Sequence, residues 1–477
     1  MNFKKVLKDI ALAFLSQGIS TLSSIVLSLV LPKLLGVREY GYWQLLIFYM
    51  GYAGFMHFGL NDGLYLEKGG QTRGKIDKKS VNSQFMVALL FQGIIAAGVF
   101  ITALIGPFEE ERAFVLAIFS VTFLLANAST LLGFVFQAMN ETPLFSLSCV
   151  VETLSLFAIF VALMIAGVNV VEPYLVAYLI SKVSRLAYCV FHARDFIRAG
   201  LYSPKESVAL SMHSINIGIK LMISNIMSQL ILGCVRFFID ANWGIEVFSI
   251  VSFSISIASL FLTFLSQVSM VFFPNLKQTS EDNLKKVFLV MRDGLDVTLP
   301  AIYVLFGPIV AILTVWLPQY TKSLELFSIL FPICVFDGKM DIVGTTFFKV
   351  LRKESSLLKI NMAALIASIL ITAMGTYAFH SVEFTLAGVM LILGARSTYS
   401  ELKISKILNA EVNFLGFATL PLSLTFVIIA QVTEPITASL IFCFIYLAYL
   451  AINKNNLRSI LRTANVLRNP SQQSSIY

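Results

Sequence analysis

Fourteen long apolar stretches, parted by short polar segments, fill almost the whole of this chain. They run over residues 10–35, 40–65, 81–106, 113–138, 144–168, 174–192, 211–239, 247–273, 289–316, 323–349, 361–379, 385–408, 412–430 and 436–452. Each is close to the roughly 20 residues an α-helix needs to cross about 30 Å of hydrocarbon. The pattern predicts fourteen transmembrane helices, spans 1 to 14, and an all-α integral membrane protein.

The polar segments alternate in charge. Segments 1–9, 66–80, 139–143, 193–208, 274–288, 350–360, 409–411 and 453–477 hold twenty-one Lys and Arg, whereas the opposite set holds only Arg38, Arg112 and Lys322. Cytoplasmic loops retain positive charge, so both termini are expected in the cytoplasm. Lys4, Lys5 and Lys8 precede an apolar run too long for a signal-peptide core, so span 1 is expected to remain as an anchor.

Composition narrows the function. Hydrophobic residues make up 57% of the chain and charged ones 13%, about half the usual globular share. The excess of +8 then reads as a topology signal and an affinity for anionic headgroups. No segment outside the spans is long enough for a basic nucleic-acid-binding domain or an external catalytic domain. The outer loops PFEEER (107–112), NVVEP (169–173) and HSVEF (380–384) are short, which disfavours a membrane polysaccharide polymerase. There is no GxxxxGK[ST] loop for ATP. The four histidines form no HExxH, so no metal site and no cofactor is expected. Cys149, Cys189, Cys234, Cys334 and Cys443 all fall in spans and read as free thiols. Transport through the helix bundle is the remaining reading.

A repeat supports it. LLGVREYGYWQL (34–45) joins span 1 to span 2, and NWGIEVFSIVSF (242–253) joins span 7 to span 8. Aligning Gly36 with Gly244 brings Glu39 beside Glu246 and Tyr42 beside Phe248. The copies are six spans apart and so share one orientation, as in parallel repeats about an axis along the membrane normal.

LLGVREYGYWQL, GLNDGLYLEKGG (59–70), IGIKLMISNIMSQLILGCVRFFID (217–240) and FFPNL (272–276) together resemble the polysaccharide-transporter, or oligosaccharide flippase, family. That family, of O-antigen and capsule type, belongs to the multidrug/oligosaccharidyl-lipid/polysaccharide exporter superfamily. The resemblance implies two six-helix lobes, 1–200 and 201–408, related by a pseudo-two-fold along the membrane normal, with a central cavity. Two additional helices (409–452) and a basic cytoplasmic tail (453–477) follow. It implies alternating access that moves an undecaprenyl-pyrophosphate-linked repeat unit across the bacterial inner membrane, with polysaccharide polymerases and glycosyltransferases as partners. The runner-up is a cation-coupled multidrug antiporter of the same superfamily. The chain departs from the family pattern at Lys220, where relatives often have proline, and at Val235, where they often have Asp.

Charges inside the bilayer need a partner, water or a function. His213, Asn216, Lys220, Ser224 and Ser228 recur at three- or four-residue steps along span 7, a polar stripe that should look into a cavity or pack on another helix. Lys220, Arg396, Lys339 and Arg236 are the candidate substrate-binding cations. Asp337 and Asp341 lie one turn apart on span 10 and offer two readings, a carrier of H⁺ or Na⁺, or structural partners of Arg396. Lys182 and Arg185 on span 6 should pair with Glu152. His57, Asn61 and Asp62 sit among Gly54, Gly59 and Gly63 on span 2, where glycines allow bending or close helix approach and the trio could form a gate or a cation site, with Asp62 a candidate coupling or ion-pair residue. Lys33 and Arg236 can snorkel to lipid phosphates. Tyr40, Tyr42 and Trp43 are expected in the interfacial aromatic belt.

Overall fold

The computed structural model describes residues 3–277, 281–410 and 418–454, and of 3–16, 264, 267–275, 277, 281 and 282 the backbone alone. The basic tail from 455, the start of span 13 (412–417) and the FFPNL side chains at 272–275 lie outside that description. All regular structure among the described residues is helical. Nine helices among those residues are long and apolar enough to cross a membrane. Two of these, Phe3–Gly51 and Pro204–Lys277, are each two rods joined at a glycine. The helices of 321–350, Val382–Ile407 and Thr419–Val432 coincide with predicted spans 10, 12 and the described part of 13.

The joining glycines are Gly36 (φ 74°, ψ −178°) and Gly244 (φ 81°, ψ −178°). This region of backbone space is open essentially to glycine alone. No atom lies within 4 Å of a Cβ built at either position, so conformation rather than crowding selects the residue. The two copies of the sequence repeat thus make the same turn.

The chain forms two compact units, Met1–Ile226 and Met227–Tyr477, divided within span 7. In the first, Leu60, Leu64, Phe85, Leu131, Val135 and Phe136 centre a core shared by spans 2, 3 and 4, with Cys189 and Phe196 closing it. One set of loops is latched by Arg73. Its guanidinium donates to Glu141 at 3.0–3.2 Å, to Asp195 at 3.1 Å and to the His192 carbonyl at 3.2 Å. Lys78 adds an ion pair to Asp195 at 2.8 Å. Burial raises the Asp195 carboxyl, but its bond to Lys78 and the charges of Arg73 and Lys78 outweigh this and hold it below the usual range. Segments 66–80, 139–143 and 193–208, assigned to one side by charge, are therefore tied together.

The other set of loops closes on the turn at Gly36. Arg38 lies 3.4 Å from Glu111, Tyr42 donates to Glu109 at 2.8 Å, and Glu39 accepts from the Val171 amide at 2.9 Å. This corrects the aromatic-belt expectation. Tyr40, Tyr42 and Trp43 are buried, Trp43 edge-on to Tyr178 at 5.8 Å, because the Glu109 carboxylate bonds the Tyr42 hydroxyl and Gln44 bonds that of Tyr40 inside the lobe.

In the second unit Leu284, Phe288, Val343, Phe347, Leu357 and Ile404 form the core. Span 9 passes from Glu281–Thr298 through a 3₁₀ segment, Leu299–Leu305, into Phe306–Trp316. Span 10 contains a π-helical turn, Met340–Thr345. Spans 13 and 14 belong to this unit: Tyr303 stacks on Phe426 at 4.3 Å, meets Phe442 edge-on at 5.2 Å and bonds Ser423 at 2.6 Å. Leu90, Ile94, Ile105, Val315, Val432 and Phe444 are mostly exposed, as lipid-facing side chains should be.

Candidate substrate and ion sites

Span 2 does not continue as one helix. After Gly51 it turns through a 3₁₀ segment, Ala53–His57, and two left-handed residues, Phe58 and Gly59 (φ 83°), before resuming as Leu60–Lys68. The freed polar groups are taken up locally. His57 Nδ1 accepts from the Gly59 amide at 3.1 Å. Asn127 donates to the Ala53 carbonyl at 2.9 Å and to Gln92 at 2.8 Å, and Asn61 donates to the Asn127 carbonyl at 3.1 Å. His57 Nε2 stands 4.0 Å from the Asp62 carboxylate.

The resumed helix crosses span 7 almost backbone to backbone. A Cβ on Gly63 would sit 1.8 Å from the Ser214 carbonyl oxygen, and one on Gly218 would sit 2.0 Å from that of Gly59. With Ser211, Ser214 and Gly218 buried on that face, His213, Asn216 and Lys220 are exposed and Ser224 and Ser228 half-buried. The polar stripe is thus the face of span 7 turned away from this crossing.

Lys182 and Arg185 both engage Glu152, Arg185 at 2.8 Å, which is the structural pairing expected from their spacing. Arg236 donates to Ser252 at 3.1 Å and stands over the Phe248 ring at 5.1 Å.

The second unit brings three of the candidate residues together. Arg396 donates to Asp337 at 2.6 Å and to Ser228 at 3.0 Å, while its buried Nε meets no partner among the described residues. It lines a cavity of about 490 Å³ between spans 11 and 12, with Lys359, Tyr399 and Lys403 around it and Ala363, Ala364 and Ala367 along one wall. Among the described residues the lining holds three cations and no carboxylate. Lys359 and Lys403 are exposed near the end of the helix pair that carries segment 350–360, and Arg396 lies about two turns deeper.

Lys339 does not reach that cavity. It is buried between Asp296 and Glu401, 2.9 Å from the latter, with Thr419 at 3.3 Å. Arg292 binds the other oxygen of Glu401 at 3.2 Å and Asp293 at 3.1 Å. The π-helical turn begins at Met340, directly after Lys339, and includes Asp341, which stays within electrostatic reach of Asp337 and Arg396.

Sequence reasoning did not single out Lys359, Lys403, Arg292, Asp296 or Glu401. A signal for the cavity was present: Arg396, Tyr399 and Lys403 follow one another at helical steps of three and four. Asp296 and Glu401 gave no such signal, since each lies close enough to a span end to be read as solvated.

No family model matches the sequence, and no curated protein matches it. Solved structures do. The lipid II flippase MurJ in an inward closed conformation matches with a TM-score of 0.65 at 12% identity, over 94% of this chain and 99% of that one. Two multidrug resistance MATE family transporters of the MOP superfamily also match. The inward-facing one gives 0.57 at 12% identity over 83% of this chain and 94% of that one. The outward-facing one gives 0.54 at 11% identity over 84% and 96%. At such identities the likeness is one of fold, and it makes the chain an all-α integral membrane protein built like these transporters.

Proposed function

We propose that this protein is a flippase that moves a lipid-linked oligosaccharide, carried on a polyprenyl diphosphate such as undecaprenyl pyrophosphate, across the bacterial cytoplasmic membrane by alternating access. The product is the repeat unit of an O-antigen-type or capsule-type surface polysaccharide, consumed by a polymerase and supplied by glycosyltransferases. The observation that carries this reading is the cavity of Lys359, Arg396 and Lys403. A diphosphate is a polyanion, and three cations around an alanine-walled cleft match a charged head on an apolar tail. Lys359 and Lys403, at the cytoplasmic end in this topology, meet the headgroup first, and Arg396 holds it deeper. Lys220 and Arg236 remain candidate contacts elsewhere on the substrate's path. A carrier of organic cations, the runner-up activity, asks instead for a carboxylate-lined cavity.

The test is translocation in proteoliposomes containing undecaprenyl-diphosphate-linked sugar. The wild-type chain should move it. Lys359→Glu with Lys403→Glu should reduce the rate at least about tenfold, since two cations become repulsive to phosphate. Export of a cationic dye without movement of the diphosphate lipid would refute the reading.

A further inference from the structure

One cluster in the second unit holds three carboxylates and two cations. Asp293, Asp296 and Glu401 share two cations, Arg292 and Lys339. Arg292 and Asp296 are 1% exposed, Lys339 3% and Glu401 4%, while the side chain of Asp293, the third acid, is 21% exposed at the edge of the cluster. Asp296 Oδ1 is fully engaged by Lys339 and the Thr419 hydroxyl, yet its buried Oδ2 meets no partner among the described residues. From span 14 come two phenols and no further charge. Tyr446 donates to the Val297 carbonyl at 2.7 Å, and the buried Tyr449 hydroxyl, within electrostatic reach of Asp296 and Asp293, has no hydrogen-bond partner among those residues.

We propose that this cluster is a proton-loading site in which one proton from water binds at the Asp296–Glu401 pair. An O–H bond forms on a carboxylate oxygen of the pair, where neither Asp296 Oδ2 nor Glu401 Oε1 has a hydrogen-bond partner among the described residues, and the five charges sum to zero. The geometry selects a proton over a metal cation. Lys339 already fills the space between the two carboxylates that Na⁺ would need, and Arg292 would repel it. A proton needs no room and is stabilised by the surplus negative charge.

The placement gives the proton something to act on. Asp296 lies three residues before span 9 becomes 3₁₀ at Leu299, and Lys339 directly precedes the π-helical turn of span 10. Neutralising one carboxylate weakens the hold of Lys339 on spans 9 and 12 at the points where spans 9 and 10 depart from regular helix. Span 10 also carries Asp337, and span 12 carries Arg396, five residues from Glu401. Loading the proton therefore biases the Arg396–Asp337 clamp that faces the cationic cavity. That coupling rests on the flippase reading; the proton site itself does not.

Infrared difference spectroscopy of the full-length chain in lipid, as pH is stepped, reads the site without substrate. The wild-type protein should show a protonated-carboxyl band that titrates with pH and is insensitive to Na⁺. Asp296→Asn and Glu401→Gln should each remove or shift it, and both variants should fold because they mimic the loaded state. A band unchanged in both variants, or one set by Na⁺ rather than pH, would overturn the proposal. In proteoliposomes with undecaprenyl-diphosphate-linked sugar, the ratio of flux with a pH gradient to flux without one should fall to one in Glu401→Gln. Titration of the band in a protein that moves no such lipid would uphold the proton site and refute the flippase reading instead.

Discussion

Replacing Gly63 or Gly218 by alanine should be among the most damaging single methyl additions in the first unit. At Gly63 the new Cβ would stand 1.8 Å from the Ser214 carbonyl oxygen, 2.5 Å from its carbon and 3.0 Å from its Cα. At Gly218 the new atom would meet the Gly59 oxygen at 2.0 Å and the Gly63 nitrogen at 2.3 Å. Ordinary contact lies near about 3.5 Å, so the two helices must part by about 1.5 Å. The obstacles are backbone atoms, and no side-chain rotation can absorb the shift. Parting strains the bonds from Ser214 to Glu67 (2.9 Å) and to Gln84 (2.7 Å). Overpacking at about 1–3 kcal/mol and two lost hydrogen bonds at about 0.5–1.5 kcal/mol each give roughly 2–6 kcal/mol of destabilisation. The assay is the thermal midpoint of detergent-purified protein, with Gly98→Ala as control. Gly98 has no atom within 4 Å of a built Cβ, and alanine there should be neutral or stabilising by up to about 1 kcal/mol. Midpoints for Gly63→Ala and Gly218→Ala equal to that of wild type would refute the close-crossing argument.

Three further outcomes are expected. Gly36→Ala and Gly244→Ala should each lower the thermal midpoint by the equivalent of about 1–3 kcal/mol from backbone strain alone, although neither meets a neighbour; unchanged midpoints would show that the turns relax. Asp337→Asn and Arg396→Gln should each destabilise by about 3 kcal/mol by stranding the partner, and the double variant should recover part of it; strict additivity would mean the two are not coupled. The folded-state value of Asp195 is depressed, so its contribution is present above the unfolded value near about 4 and is lost as pH falls through the folded value. Thermal midpoints should thus decline less in Asp195→Asn than in wild type as pH drops from about 5 to about 3, and parallel declines would remove Asp195 from the latch.

The spans were legible because length and apolarity are local properties, and a helix in lipid needs little else. Gly36 and Gly244 were legible through their neighbours, and the glycines of span 2 through their number: Gly59 makes the bend, Gly63 the close approach. The pairing of Lys182 and Arg185 with Glu152 followed from spacing, as one of the two readings of Asp337 followed from depth. The ionic cluster was not legible, because its members come from spans 9, 10, 12 and 13 and no spacing along the chain relates them. Lys339 shows how this misleads. Taken alone it is a spare cation in a bilayer; in the fold, two carboxylates from other helices occupy it. The aromatic belt failed for a similar reason, since Glu109 is far from Tyr42 in sequence and buries it by satisfying its hydroxyl.

The contrast between Lys339 and Arg396 bears on selectivity. Both are buried, but Lys339 has two carboxylates and Arg396 has one, together with a hydroxyl and an Nε left without a partner among the described residues. Arg396 is held in place without being saturated, as the anion-binding role proposed for it requires. Lys359 and Lys403 have no carboxylate in the cavity lining, so the field there stays positive. At an effective dielectric of about 20, a like charge about 6 Å from any one of these cations is opposed by roughly 3 kcal/mol, and a phosphate charge is favoured by as much. Asp337 offsets the charge of Arg396, so two such contributions, from Lys359 and Lys403, separate a diphosphate from an organic cation. On the proposed function, a cavity of this sign would choose the carrier lipid by its diphosphate without a sugar contact and would leave the oligosaccharide free to vary.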